Sequence, residues 1–94
     1  MITIVAKSQV KPECLEAYIK LAKELVAASQ AEAGNVAYDL YQAAEDPCVL
    51  TMIECWRDQA AIDSHNDSQA FRTIVPQLGQ MRTASEVLHY TMVE

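Results

Sequence analysis

The segment Cys48–Arg57 constrains the fold most, because it is predicted to be a β-strand with apolar side chains on both of its faces. Six apolar residues are divided between these faces: Val49, Leu50, Met52, Ile53, Cys55 and Trp56. The predicted last strand, Glu86–Val93, has the same character. Helices packed on one side of a sheet leave its other side open, so such a sheet needs a second cover. The sheet of an identical subunit would supply that cover.

The apolar content is large for so short a chain. Hydrophobic residues make up 51% of the 94 residues. A domain of this size buries only somewhat more than roughly 60% of its unfolded surface when it folds alone. We therefore expect part of the apolar surface to lie in a subunit interface or a ligand cavity.

Hydrophobic periodicity predicts the order strand, helix, strand, strand, helices, strand. Ile2–Val10 is rich in β-branched residues, and an amphipathic helix follows Pro12. Strands Asn35–Gln42 and Cys48–Arg57 flank a turn-rich connection, which favours an antiparallel hairpin. This βαββαβ order predicts an α+β, ferredoxin-like fold with helices on one face of an antiparallel sheet. No linker or repeat interrupts residues 1–94, which we interpret as a single domain.

Local signals predict where the helices begin and end. Gly34 occupies the position of a left-handed C-cap after the first helix. Asp58 is the predicted N-cap of a second helix, and His65 lies about two turns along it. Ser68 is predicted to cap a third helix, which Pro76 should kink or shorten.

The chain is acidic, with 13 Asp and Glu against 7 Lys and Arg and a formal net charge of -6. The absence of any basic cluster predicts that neither nucleic acid nor a membrane surface is a partner. The first residues carry no basic region or cleavage site of a signal peptide, which predicts a cytoplasmic protein. The cysteines Cys14, Cys48 and Cys55 form no Cys-x-x-Cys pair, and we interpret them as small buried hydrophobes.

Two residues of the second hairpin strand and second helix are candidates for proton transfer. His65 qualifies because imidazole takes up and releases protons near neutral pH, although a histidine at a helix end also serves to cap carbonyls. Glu54 lies among apolar neighbours, where burial raises the pKa of a carboxyl and suits it to act as an acid, a base or a partner of His65. The structural alternative for Glu54 is a salt bridge with Arg57, Arg72 or Arg82.

Aromatic and polar residues near these two candidates have both structural and functional interpretations. Trp56 is either a flat wall for an aromatic ligand or part of the core. Asp39 shares a strand face with Tyr41, whereas Tyr38 lies on the other face, so these groups do not all point into one cavity. Asn35 follows the cap glycine and equally serves to complete the turn.

Cofactor motifs are absent from the sequence. It contains no glycine-rich phosphate loop and no flavin or nicotinamide fingerprint. His89 has no second histidine or carboxylate at metal-ligand spacing nearby, so no metal site is predicted.

Two motifs carry a resemblance to a known family. The first is Gly34-x-x-x-Tyr38 at the start of a strand, and the second is Glu54-x-Trp56 followed by His65. Over nearly its whole length the chain resembles the antibiotic biosynthesis monooxygenase (ABM) family of small dimeric α+β barrel proteins. The resemblance implies a homodimer in which two sheets stack to form the barrel.

The resemblance also implies a reaction without a cofactor. Oxygenases of this family are understood to use neither metal nor flavin, because a base deprotonates a hydroxylated, quinol-type aromatic whose anion passes an electron to O2. His65 and Glu54 would then be the catalytic residues. The residues expected to bind a small aromatic or polar metabolite are Asn35, Tyr38, Asp39, Trp56, Phe71 and Arg72.

The chain departs from the family pattern at two positions. Ala70 precedes Phe71 where many members have a second histidine, which puts chemistry that needs that histidine in doubt. Val75 stands where haem-degrading relatives carry an iron ligand, which disfavours haem degradation.

Two other functions remain open at the level of sequence. The same motifs resemble an isomerase of the phosphorylated autoinducer-2 signal, which would move protons with Glu54 and His65. Its phosphate would require a cation, for which the candidates are Lys7, Arg72 and Arg82. The other alternative is a non-catalytic dimeric module that binds a small hydrophobic metabolite.

Overall fold

The computed structural model describes residues 1–94 and contains one four-stranded antiparallel sheet and three α-helices. The strands are β1 (Ile2–Val10), β2 (Asn35–Gln42), β3 (Val49–Trp56) and β4 (Arg82–Tyr90). The helices are α1 (Leu15–Gln30), α2 (Gln59–Asn66) and α3 (Gln69–Gln80), and a 3-10 turn at Pro12–Cys14 precedes α1. The spatial order of the strands is β2-β3-β1-β4. The predicted α+β, ferredoxin-like βαββαβ arrangement is confirmed.

The core lies between the helices and one face of the sheet. The face of β3 that points to the helices buries Leu50, Met52, Glu54 and Trp56, as its alternation predicted. Helix α1 contributes Tyr18, Ala22 and Leu25, which recur at helical spacing. Because Trp56 and Ile62 are almost fully excluded from solvent, β3 and α2 are fixed against each other.

Asp58 and Ser68 cap helices as the sequence predicted, whereas the C-cap of α1 is Ala31 and Gly34 lies three residues beyond it. Gly34 has φ +84°, a left-handed conformation that ends the turn after α1. Asp58 accepts a hydrogen bond from the Ala61 N–H at 2.9 Å, and this bond lowers the pKa of the Asp58 carboxyl. Ser68 accepts one from the Phe71 N–H at 3.2 Å. These caps fix the starts of α2 and α3 and therefore the position of His65 between them.

The last strand begins earlier and ends earlier than the predicted range Glu86–Val93. β4 starts at Arg82, directly after α3, and its final pair with β1 is Thr3 with Tyr90. Beyond Tyr90 only Ile2 of β1 remains opposite this end of the chain, and residues 91–94 form no further pairs with β1. The prediction of strand structure up to Val93 was wrong for this reason.

Pro76 does not end the third helix. α3 continues to Gln80, past the proline. A helical proline removes one backbone hydrogen bond, to the carbonyl four residues earlier. That carbonyl belongs to Arg72, which lies on the exposed side of α3, where water can replace the lost donor.

The sheet face opposite the helices is open and partly apolar. Val5 lies between Ile53 of β3 and Leu88 of β4, and these two neighbours are 37% and 43% exposed. Tyr41 and Tyr90 are also about half exposed, at 52% and 48%. The two-sided apolar character expected of β3 is therefore present as an uncovered surface.

Among the helices of this fold, none has both the length and the apolar content needed to span a membrane.

Candidate functional site

A cavity of about 260 Å³ lies between the helices and the inner face of the sheet. Val87 and His89 of the edge strand β4 belong to its lining, and Val87 is 54% exposed although it faces the helix side. The helix layer therefore stops short of this edge, which leaves an entrance there. Most of the lining is apolar, as in typical small-molecule sites.

Polar side chains meet at one level of the sheet. Tyr38 pairs with Glu54, Glu54 pairs with Ile4, and Ile4 pairs with His89 across four neighbouring strands. Residues that face each other in antiparallel strands point to the same side. Tyr38, Glu54 and His89 therefore form a row on the floor of the cavity, at one of its ends. We call this row the polar rung.

His65 lies above the polar rung and is only 3% exposed. Its Nδ1 lies 2.6 Å from Oε1 of Glu32, in the turn between α1 and β2. A carboxylate at this distance is best satisfied by an Nδ1–H donor, which leaves Nε2 as the unprotonated nitrogen of the neutral ring. The pair thus resembles a base held by an orienting carboxylate.

Aromatic rings surround the imidazole. Its centroid lies 4.5 Å from that of Trp56, 5.5 Å from that of Tyr38 and 5.1 Å from that of Phe71. Such contacts fix the plane of the ring and exclude water from it. The side chain is therefore positioned by packing as well as by Glu32.

Glu54 is buried, with 6% of its surface exposed, and does not contact His65 through a hydrogen bond. Its Oε1 accepts a hydrogen bond of 2.9 Å from Nε1 of Trp56. Burial raises the pKa of the Glu54 carboxyl, and the bond from Trp56 and the nearby His65 oppose this shift only in part. The structural prediction of a salt bridge to an arginine is wrong, because no arginine lies within ion-pair distance of it.

Tyr38 supplies a neutral hydroxyl at the same end of the cavity. Burial raises the pKa of the Tyr38 hydroxyl, and the adjacent Glu54 carboxylate raises it further. The group therefore stays protonated over the physiological range, beside the hydroxyl of Ser29 on α1.

The structure brings together some of the residues predicted from sequence and separates others. His65, Glu54, Tyr38 and Phe71 line the cavity. Trp56 is completely buried behind them and is a core residue that holds Glu54 and His65.

Besides Trp56, three predicted binding residues lie outside the cavity lining. Asp39 is exposed on the opposite sheet face, because neighbouring strand residues alternate. Asn35 uses its amide to donate to the Ala37 carbonyl at 3.0 Å and so closes the start of β2. Arg72 lies on the exposed side of α3.

Sequence reasoning missed Glu32 and assigned no role to His89. Glu32 lies in a turn, 33 residues from His65, and no motif links the two. His89 reaches the polar rung only through the pairing of β4 with β1. Even so, no group of three or more His, Cys, Asp or Glu side chains is arranged to hold a metal ion.

Glu54→Gln should stabilise the protein increasingly as the pH rises. The pKa of Glu54 is higher in the folded than in the unfolded state, so folding favours the protonated carboxyl. The stability that this protonation provides is fully present below the unfolded pKa of about 4.3 and is lost as the pH rises through the folded pKa. A glutamine does not ionise, so the variant does not lose this stability, and its side-chain oxygen can still accept the hydrogen bond from Nε1 of Trp56. Thermal unfolding from about pH 4 to about pH 8 should therefore show the melting temperature of the variant rising relative to wild type.

The exposed Glu24 on α1 offers a matched control. Glu24→Gln should show no such trend. A constant difference between Glu54→Gln and wild type across this range would contradict the raised pKa of Glu54.

The fold and site together define a small α+β protein with a ferredoxin-like sheet and a helix-side cavity, which is lined by a buried histidine that a half-buried carboxylate holds from behind. The family model for antibiotic biosynthesis monooxygenases matches residues 1–77. The chain therefore belongs to this family, and the predicted family is confirmed.

Individual relatives agree with this assignment. The chain is 39% identical over 75 residues to YcnE of Bacillus subtilis, named as a candidate monooxygenase, and the alignment covers 80% of this chain and 79% of that protein. A conserved protein from Methanosarcina mazei has a TM-score of 0.92 at 38% identity, covering 95% of this chain and 89% of that one. A structure described as an antibiotic biosynthesis monooxygenase has a TM-score of 0.96 at 30% identity over 100% of both chains.

Proposed function

We propose that the protein is a cofactor-independent monooxygenase that oxidises a small hydroxylated, quinol-type aromatic with O2. The observation that carries this proposal is the buried His65 on the wall of a mostly apolar cavity, with its Nδ1 held 2.6 Å from Oε1 of the half-buried Glu32 behind it. An oriented base in a cavity that excludes water is what deprotonation of a ring hydroxyl requires. Membership of the monooxygenase family supports the same reaction class.

In the proposed mechanism, Nε2 of His65 takes the proton from a ring hydroxyl. Glu32 holds Nδ1–H and stabilises the imidazolium that forms, so it acts as a positioning residue. The aromatic anion then transfers an electron to O2, and a carbon–oxygen bond forms at an adjacent ring carbon. Loss of the proton from that carbon breaks the O–O bond, which leaves one oxygen atom on the ring as a carbonyl. The other oxygen atom departs as water, with the two protons taken from the ring hydroxyl and from the carbon.

The polar rung would stabilise the charged intermediates. Tyr38 donates a hydrogen bond to an oxygen of the substrate, because its hydroxyl stays protonated. Glu54 has a raised pKa and so is suited to return a proton during loss of water. Phe71 packs against the substrate ring as it does against His65.

Oxygen-isotope labelling tests this reaction directly. With 1,4-dihydroxynaphthalene under 18O2, the expected product is 2-hydroxy-1,4-naphthoquinone with one labelled oxygen, alongside one labelled water. One O2 should be consumed for each substrate oxidised, after subtraction of the rate without protein. Formation of unlabelled 1,4-naphthoquinone and hydrogen peroxide would instead identify an oxidase and contradict the proposal. Absence of any protein-dependent uptake with a series of hydroxylated naphthalenes and anthracenes would contradict it as well.

We also propose that the open sheet face pairs with the same face of a second copy. The apolar residues on this face need a cover, and a self-complementary surface supplies it through two-fold symmetry. Analytical ultracentrifugation at micromolar protein should therefore give a mass near twice the 10.4 kDa of the chain.

Leu88→Asp places a charge among the apolar side chains of this face, next to Val5, and should yield a monomer. Gln77→Asp, on the exposed side of α3, should remain a dimer. A wild-type chain that sediments as a monomer would contradict the pairing.

A further inference from the structure

Arg82 is a cation inside the cavity that the reaction above does not use. It is the first residue of β4, is partly buried and belongs to the cavity lining. Its Nη1 lies 3.5 Å from Oγ of Ser8, and its Nη2 lies beside Gly79 of α3, where a Cβ would be 3.8 Å away. The guanidinium is therefore held between β1 and the end of α3.

The guanidinium has no carboxylate partner. The ion pairs of the protein are Arg57 with Asp58 and His65 with Glu32. This is notable in a chain where acidic residues outnumber basic ones by 13 to 7. A guanidinium has five N–H donors, and the long contact with Ser8 engages only one of them. Donors free on the wall of an apolar cavity are placed to bind an anion.

Arg82 lies at the end of the cavity opposite the polar rung. Arg82 pairs with Val10, but its guanidinium reaches back to the level of Ser8, and Ile4 marks the level of Glu54 and His89. Four residues of strand separate these levels, which corresponds to about 13 Å. Apolar side chains fill the level between them: Ala6, Met52 and Val87. A ligand that contacts both ends must be apolar in its middle and polar at both of its ends.

We infer that the substrate carries a carboxylate, which Arg82 and Ser8 bind at the end of the cavity opposite His65. This inference deepens the proposed function, on which it rests for the identity of the reacting end. One guanidinium and one hydroxyl match the two oxygens of a carboxylate. A phosphate monoester has three acceptor oxygens and nearly two charges, which one arginine satisfies less completely.

Calorimetry with 6-hydroxy-2-naphthoate tests the inference, because this probe carries a hydroxyl and a carboxylate at opposite ends of two fused rings. Wild-type protein should bind the acid more tightly than its neutral methyl ester. Arg82→Gln should weaken binding of the acid by about 10- to 100-fold and change binding of the ester by no more than about twofold. The affinity of Arg82→Lys for the acid should lie between those of wild type and Arg82→Gln, since lysine keeps the charge but loses the two-pronged geometry.

The exposed Lys23 of α1 provides a control for the loss of one positive charge. Lys23→Gln should bind both probes as wild type does. Retained binding of the ester shows that the Arg82 variants are folded. Equal affinity of wild type for acid and ester, or equal weakening of both by Arg82→Gln, would overturn the inference. Tighter binding of 6-hydroxy-2-naphthyl phosphate with the same dependence on Arg82 would overturn the carboxylate assignment.

Calorimetry measures binding without turnover. A protein that does not oxygenate the substrate can therefore still show the predicted dependence of carboxylate binding on Arg82. Where turnover is observed, a carboxylated dihydroxynaphthalene adds a kinetic test. Arg82→Gln should raise KM for this substrate more than it lowers kcat, because the arginine contacts a group remote from the reacting atoms.

Discussion

His65→Gln is expected to slow the oxidation of a dihydroxynaphthalene by about 100- to 10,000-fold, which is the range that a positioned base contributes. The glutamine amide can still donate to Glu32, but it does not take up a proton near neutral pH. Oxygen uptake under substrate saturation measures the effect on kcat. The melting temperature should be measured alongside, because His65 is buried among aromatic rings and any loss of fold must be separated from loss of the base.

Glu32→Gln distinguishes an oriented base from a merely buried histidine. Without its carboxylate the imidazole loses an anchor and a counter-charge, and we expect kcat to fall by up to about 100-fold with little change in KM. Ser64→Ala, an exposed change on the same helix, is the control for both variants. If His65→Gln remains folded and oxidises the substrate at the wild-type rate, His65 is not the base.

Gly34→Ala is expected to destabilise the protein by about 2–5 kcal/mol, the sum of a left-handed backbone penalty and an overpacked contact. Gly34 has φ +84°, and a Cβ placed on it would lie 2.6 Å from Cβ of Ala61 in the first turn of α2. For a domain of about 100 residues, each kcal/mol shifts the melting temperature by about 4–8 °C. Because Glu32 lies in the same turn and α2 carries His65, activity should fall together with stability.

The second glycine of the chain is a matched control. Gly79 lies inside α3, and a Cβ there meets only Nη2 of Arg82 at 3.8 Å, an ordinary contact. Gly79→Ala should therefore stabilise the helix by up to about 1 kcal/mol. Thermal or urea unfolding of both variants gives the comparison. Equal melting temperatures for the two alanine variants would show that neither the backbone angle nor the contact of Gly34 with α2 matters.

Most of the local structure followed from the sequence. The β-branched run of β1, the cap residues Asp58 and Ser68, the left-handed backbone of Gly34 and the alternation along β3 depend on interactions within a few residues. Such signals can be recognised in the sequence without knowledge of the rest of the fold. The errors arose where a distant element decides the outcome, as at the end of β4, whose length depends on where β1 begins.

In the candidate site, too, the residues placed by local patterns were predicted from the sequence, and those placed by long-range packing were not. The alternation of β3 already placed Glu54 and Trp56 on the inner face, and the helix spacing placed His65 above them. Partnership with His65 was one of the roles considered for Glu54, and Glu32 was not considered, because only the packing of the turn after α1 against α2 brings Glu32 to 2.6 Å from His65. Likewise, strand register alone puts His89 level with Glu54 and puts Arg82 at the other end of the cavity.

The sequence by itself determined the order of elements, the buried face of each and the position of His65 on α2, because periodicity and capping are local properties of the chain. The tertiary structure alone decided which carboxylate orients that histidine and which cation enters the cavity. Contacts between residues 33 and 74 positions apart, such as His65 with Glu32 and Arg82 with Ser8, depend on how helices and strands pack. No short-range pattern in the chain encodes that packing.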